Sequence, residues 1–211
     1  MKATTYMKTK YSTLLNPVLT VALMGGVWAA YGQTSSADFQ TQPEKSMAQA
    51  HEAFVKGDTK DACGDISIAA DYVKKQSRFM AADTKEAMDK TERELTKLRD
   101  GVEKGTVKSG DELKKTFAKA DHQMAKCWHN TAQEAQKAGK DSTYALKRTA
   151  ERLDGASRWS GHQLDEGTKK SLTAVESVGQ GAGKGVKAAA AELDQWSKSL
   201  GHGIEELGKK L

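Results

Sequence analysis

Proline, cysteine and aromatic residues are all scarce in this chain of 211 residues. Only Pro43 remains as a proline beyond the first 32 residues. Little proline, much Ala, Lys and Glu, and apolar steps of three and four residues together argue an all-α protein. Aromatics make up 6% of the chain. The thin apolar content implies slender helices with narrow buried stripes, an antiparallel helical bundle, in place of a thick globular core. Signatures of catalysis are missing as well. There is no G-x-S-x-G, no Ser/His/Asp set in a known order and no pair of catalytic carboxylates, so the sequence reads as a non-enzyme. Gly179-Gln180-Gly181-Ala182-Gly183-Lys184-Gly185 lacks the Ser or Thr that must follow the lysine of a phosphate loop, and no strand precedes it. Nucleotide binding is therefore not expected.

The N-terminus carries Lys2, Lys8 and Lys10 with no acid nearby, then an apolar stretch from Val18 to Tyr31 and small residues at Ala29, Ala30 and Gly32. This is the layout of a secretory signal, and cleavage before Gln33 or before Ala30 is expected. The apolar run is shorter than the roughly 20 residues of a spanning helix, and Asn16-Pro17 interrupts its start, which disfavours a retained anchor. The product is expected in a periplasm or outside the cell. The whole chain has a formal charge of +5, but residues 1–32 hold three lysines and no acids. The remainder, with 30 basic and 28 acidic residues, is nearly balanced. A basic pI that belongs partly to the signal gives no footing for nucleic-acid binding.

Residues 33–43 are polar and aperiodic and read as a flexible linker. A bundle is expected over 44–160 and a long glycine-rich amphipathic C-terminal helix in the segment 161–211. The first helix runs from about Glu44 to Lys56, with Met47, Ala50 and Phe54 on one face. Gly57 ends it and Asp58 or Thr59 caps the second helix, whose line is Ala62, Ile66, Ala69, Val73. The unit AQAHEAFVKGDTKDACGDISIAADYVKKQS resembles a tetratricopeptide-like hairpin and the N-terminal part of the YfdX family of periplasmic helical proteins. That resemblance implies a helical hairpin and brings no functional residues with it. Asp83-Thr84-Lys85-Glu86 has the spacing of a capping box and favours a break there, although 59–104 can also be read as one helix. The apolar line then resumes with Ala87, Thr91, Leu95, Leu98 and Val102, and glycines mark a loop near 101–110. A helix from Asp111 carries Leu113, Phe117, Ala120, Met124 and Cys127 at heptad-like, coiled-coil spacing. Gly139 stops it, and a helix with Leu146, Thr149, Leu153 and Ala156 follows.

Two cysteines in an exported chain suggest one disulfide, Cys63–Cys127. Their Cα atoms must then lie within about 7 Å. A straight helix over 59–104 would leave them roughly 30 Å out of register. The disulfide therefore requires a break near 78–84, whereas a continuous helix implies free thiols or an intermolecular link. His122, Met124, Cys127 and His129 form the densest ligand-capable stretch, and copper or haem iron are the cofactors such atoms suit. The stretch lacks C-x-x-C-H and H-x-x-x-H. Its two histidines are separated by roughly 10 Å of helix rise, so core packing is the competing reading.

The segment 161–211 combines an apolar line with frequent glycine. The line runs Leu172, Val175, Gly179, Ala182, Val186, Ala189, Leu193, Trp196, Leu200, Ile204, Leu207, Leu211. Each interior glycine costs a helix about 1 kcal/mol relative to alanine. Such a segment gains order mainly by docking its stripe on the bundle, a partner or a lipid surface. Leu193, Trp196, Leu200, Ile204 and Leu207 are the expected interaction residues. Leu193/Ile204, Trp196/Leu207 and Leu200/Leu211 repeat at eleven residues, and the segment is similar to apolipoprotein and late-embryogenesis-abundant helices. The expectation is an exported, non-enzymatic helical protein that meets a protein or a membrane surface, with a stress-related role and self-association both compatible. A periplasmic metal- or haem-binding protein is the alternative.

Overall fold

A computed structural model describes residues 42–78, 80, 82–181 and 188–211. The expected signal, most of the linker and the glycine-rich residues 182–187 lie outside the described residues. Among the described residues seven helices follow one another: α1 (Gln42–Val55), α2 (Thr59–Ser77), α3 (Ala82–Glu103), α4 (Gly110–Lys137), α5 (Thr143–Ser160), α6 (Glu166–Gly181) and α7 (Ala190–Gly208). Among the described residues there is no strand, and no helix is long and apolar enough to cross a membrane. The fold is all-α, as the periodicity predicts.

Local chemistry sets the helix ends. Gly57 turns the chain at φ +82°, a left-handed conformation that glycine adopts without a Cβ penalty. Asp58 then accepts from the Asp61 N–H at 3.1 Å and caps α2. Ser109 caps α4 by accepting from the Glu112 N–H. Asp165 caps α6 through the Thr168 N–H at 2.9 Å. The break expected near 78–84 is real: α2 ends at Ser77 and α3 begins at Ala82, one residue ahead of Asp83.

α4 is the longest helix and the shared one. One face, Leu113, Phe117, Ala120, Met124 and Cys127, closes a core with α1, α2 and α3. A second, neighbouring face, Ala125, Trp128 and Ala132, closes a second core with α5, α6 and α7. Met88, fully buried on α3, and Leu164, ahead of α6, join these cores from positions the stripes do not name. The segment beyond 161 belongs to the same compact unit as the bundle, Thr41–Leu211. It is helical as expected, but it comes as two helices, α6 and α7, whose described flanks at 162–165 and 188–189 are not helical.

Candidate functional site

The expected interaction stripe lies on α7 and faces inward. Leu200, Ile204 and Leu207 are buried in the second core, while Leu193 and Trp196 pack against its edge and stay partly exposed. Burying three aliphatic side chains is worth roughly 1.5–3 kcal/mol each. Interior Gly201 and Gly203 cost about 1 kcal/mol each in helix propensity, which offsets part of that gain.

Polar contacts supply the rest of the seam. His129 donates from Nε2 to the Ser197 carbonyl at 2.8 Å, and His122 donates from Nε2 to the Ile204 carbonyl at 2.8 Å. A carbonyl can only accept, so each Nε2 carries the proton. Seven residues separate the histidines on α4, and seven separate their acceptors, in reverse order, on α7. That is the register of antiparallel helices. A glycine stands four residues beyond each acceptor. In a helix the Cβ at i+4 leans back over residue i. A Cβ at Gly201 would come within 2.9 Å of the His129 ring, and one at Gly208 within 2.9 Å of the His122 ring. These glycines open the helix surface so that an imidazole can reach a mid-helix carbonyl. Burial lowers the basicity of both rings; Lys126 adds to this at His122, while Glu205 opposes it at His129.

This placement separates the metal-ligand set. His122 and His129 face α7, whereas Met124 and Cys127 point into the first core on another side of α4. Among the described residues no three His, Cys, Asp or Glu side chains converge. The four residues do not form one coordination sphere.

The disulfide expectation is corrected. Cys63 and Cys127 are not joined in a disulfide. The Cys63 thiol contacts the Arg99 carbonyl and the Cys127 thiol contacts the Thr84 carbonyl. These carbonyls lie fifteen residues apart on α3, or roughly 22 Å at 1.5 Å per residue. The break does fold α2 back on α3, but it sends the two cysteines to opposite ends of that helix. Burial raises the Cys63 thiol above the usual range.

Sequence reasoning missed a buried ionic network between the two cores. Asp121 on α4 and Arg152 on α5 are fully buried and pair at 3.1 Å. Arg152 also approaches Glu44 of α1 at 4.0 Å and lies over the Tyr72 ring of α2. Arg148, one turn earlier, donates to the Tyr72 hydroxyl at 2.5 Å and to Glu151 at 2.7 Å. Asp121 Oδ2 and Glu44 Oε1 converge on Gly155, where a Cβ would sit 2.5 Å and 3.1 Å from them. Neither oxygen has a hydrogen-bond partner among the described residues. Burial pushes the Asp121 carboxyl up to about 7; Arg152 pulls it down and nearby Glu44 pushes it further up. The signal was present in Ala118, Asp121, Ala125 and Trp128, a second helical line on α4 with a carboxylate in it.

A cleft of about 730 Å³ opens at the end of the molecule where α1, the start of α4, the end of α5 and the residues after α7 meet. Trp159 lines it, held edge-on against Phe117 at 5.2 Å between ring centres. No protein-family model, curated protein or solved structure matches this chain.

Proposed function

We propose that this chain is an exported, non-enzymatic helical protein that acts by interaction, and that α7 is the element that meets its partner. The observation carrying this reading is the α4–α7 seam. It combines a short aliphatic stripe, notching glycines and two histidine hydrogen bonds, and it leaves Leu193 and Trp196 partly exposed. A helix docked through so short a stripe can exchange its intramolecular groove for an intermolecular one. Export rests on the Lys2/Lys8/Lys10 and Val18–Tyr31 pattern.

The charge on α7 favours a protein over a lipid surface. Glu192, Asp194, Glu205 and Glu206 outnumber Lys198 on the helix, and still outnumber it together with Lys209 and Lys210 just beyond its end, whereas a surface-seeking helix has a polar face rich in Lys and Arg. Metal or haem binding through His122, Met124, Cys127 and His129 finds no support in their divided orientation.

A photo-crosslinking side chain at position 193 or 196 of the full chain, activated in the envelope fraction, tests the reading. Adducts with one discrete protein from these positions, and none from position 104 or 140, are expected. Equal yields at all four positions, or adducts with lipid only, would overturn it.

A further inference from the structure

The cleft at the α1–α4–α5 end has a composition the interaction reading does not use. Its volume of about 730 Å³ falls within the roughly 300–1,000 Å³ of small-molecule sites. Lys114, Lys115, Arg158 and Lys210 line it, against the acids Glu44 and Asp111. Two of the cations are committed: Lys114 to Asp111 at 3.4 Å, and Arg158 to Glu44 at 3.5 Å and Asp154 at 3.1 Å. Lys115 and Lys210 are exposed and form no ion pair among the described residues. The lining also includes Ala48, Leu211 and the Trp159 ring as apolar members, and Ser160 and His162 as polar ones.

We infer that the cleft binds a small organic anion, a carboxylate, sulfonate or phosphate with an aromatic or compact apolar body. The body rests on Trp159, Ala48 and Leu211, and the head lies between Lys115 and Lys210. Trp159 suits such a body because its ring is already fixed by Phe117 and needs little ordering on binding. The cations come from different parts of the chain: Lys115 from α4, and Lys210 from just beyond the end of α7. An anion bridging them therefore fastens the end of α7 to the bundle. A ligand that binds only the docked form stabilises that form by mass action. The site itself stands apart from the proposed protein partner; only the fastening bears on it.

The test is calorimetric titration of the full chain with naphthalene-2-sulfonate, with 2-naphthalenemethanol and inorganic sulfate as controls. One saturable site for the sulfonate is expected, with clearly weaker binding of both controls. Lys115→Gln and Lys210→Gln should each weaken the sulfonate by about fivefold or more, and Trp159→Phe should weaken it too. Lys169→Gln, on an exposed lysine outside the cleft, should change nothing. Circular dichroism of each variant checks that the fold is retained. No saturable binding, equal affinity for the neutral alcohol, or indifference to all three cleft substitutions would overturn the site. Hydrogen exchange with saturating sulfonate reads the second element. Slower exchange at residues 200–208 is expected, and unchanged exchange there would overturn the fastening while leaving the site.

Discussion

His129 of α4 and Gly201 of α7 form a matched pair: the imidazole reaches the Ser197 carbonyl at 2.8 Å because residue 201 has no Cβ to block it. His122 and Gly208 repeat the arrangement at the Ile204 carbonyl. The glycines that weaken α7 as an isolated helix are the positions at which it docks.

The seam should be sensitive to acid. Burial lowers the basicity of both histidines in the folded state, so the unfolded chain takes up protons first. Their contribution is intact above histidine's ordinary value of about 6.5 and is lost as pH falls below it. With the opposing Asp121 titration removed by Asp121→Asn, thermal midpoints should drop on acidification from pH 7 to pH 5. The double variant His122→Gln/His129→Gln, which keeps an amide donor at each site, should show a shallower drop. An unchanged slope would remove the histidines from the acid response.

Two glycine substitutions should move stability in opposite directions. A Cβ at Gly203 would lie 2.5 Å from Thr168 Cγ2 and 3.1 Å from Leu153 Cδ2. Thr168 is buried and tied to Asp165 at 2.5 Å, so it has little freedom to yield. Gly203→Ala should cost about 1–3 kcal/mol through overpacking. Gly64, inside α2, has nothing within 4 Å of its would-be Cβ, and Gly64→Ala should gain about 0.5–1 kcal/mol. Urea denaturation of the two variants checks both signs.

Asp121 and Arg152 should behave as a unit. Removing one partner strands a buried charge, so Arg152→Met alone should cost about 3–5 kcal/mol. Asp121→Leu/Arg152→Met should recover most of that loss, because an apolar pair of similar volume carries no desolvation cost. Asp121 also has its own pH signature. Its folded value of about 7 lies above the ordinary carboxylate range, so its contribution is full at low pH and declines as pH rises from about 4 through 7. This runs opposite to the histidines. Asp121→Asn should therefore remove this component between about pH 4 and pH 7, so that stability falls more steeply on acidification over that range.

Both thiols should react with iodoacetamide in the native protein without prior reduction. Cys63, half-buried, should react before Cys127, which is 1% exposed. Peptide mapping reads the order. A peptide pair linked through residues 63 and 127 would contradict the placement of these side chains at opposite ends of α3.

The helices were legible because spacing alone marks a buried face, as with Leu113, Phe117, Ala120 and Met124 on α4. The turn at Gly57-Asp58 was legible because its chemistry is local. The second face of α4 was not, since a stripe reading assigns each helix one buried side and places Asp121 in solvent. Arg148 and Arg152 escaped notice for the same reason: spacing cannot distinguish a solvated arginine from one paired across three helices. The histidines were singled out for ligand chemistry because α4 alone shows only their seven-residue step. Their carbonyl partners lie 68 and 82 residues away, a distance that no local pattern spans.

Native-state hydrogen exchange at pH 7.5, read amide by amide, bears on whether α7 opens on its own. Amides of Leu200–Leu207 should exchange through an opening several kcal/mol less costly than that of Phe117–Met124 in α4, with little denaturant dependence. Exchange of both sets through one global unfolding, with the same free energy and denaturant slope, would show that α7 is fixed core and contradict its role as a releasable arm.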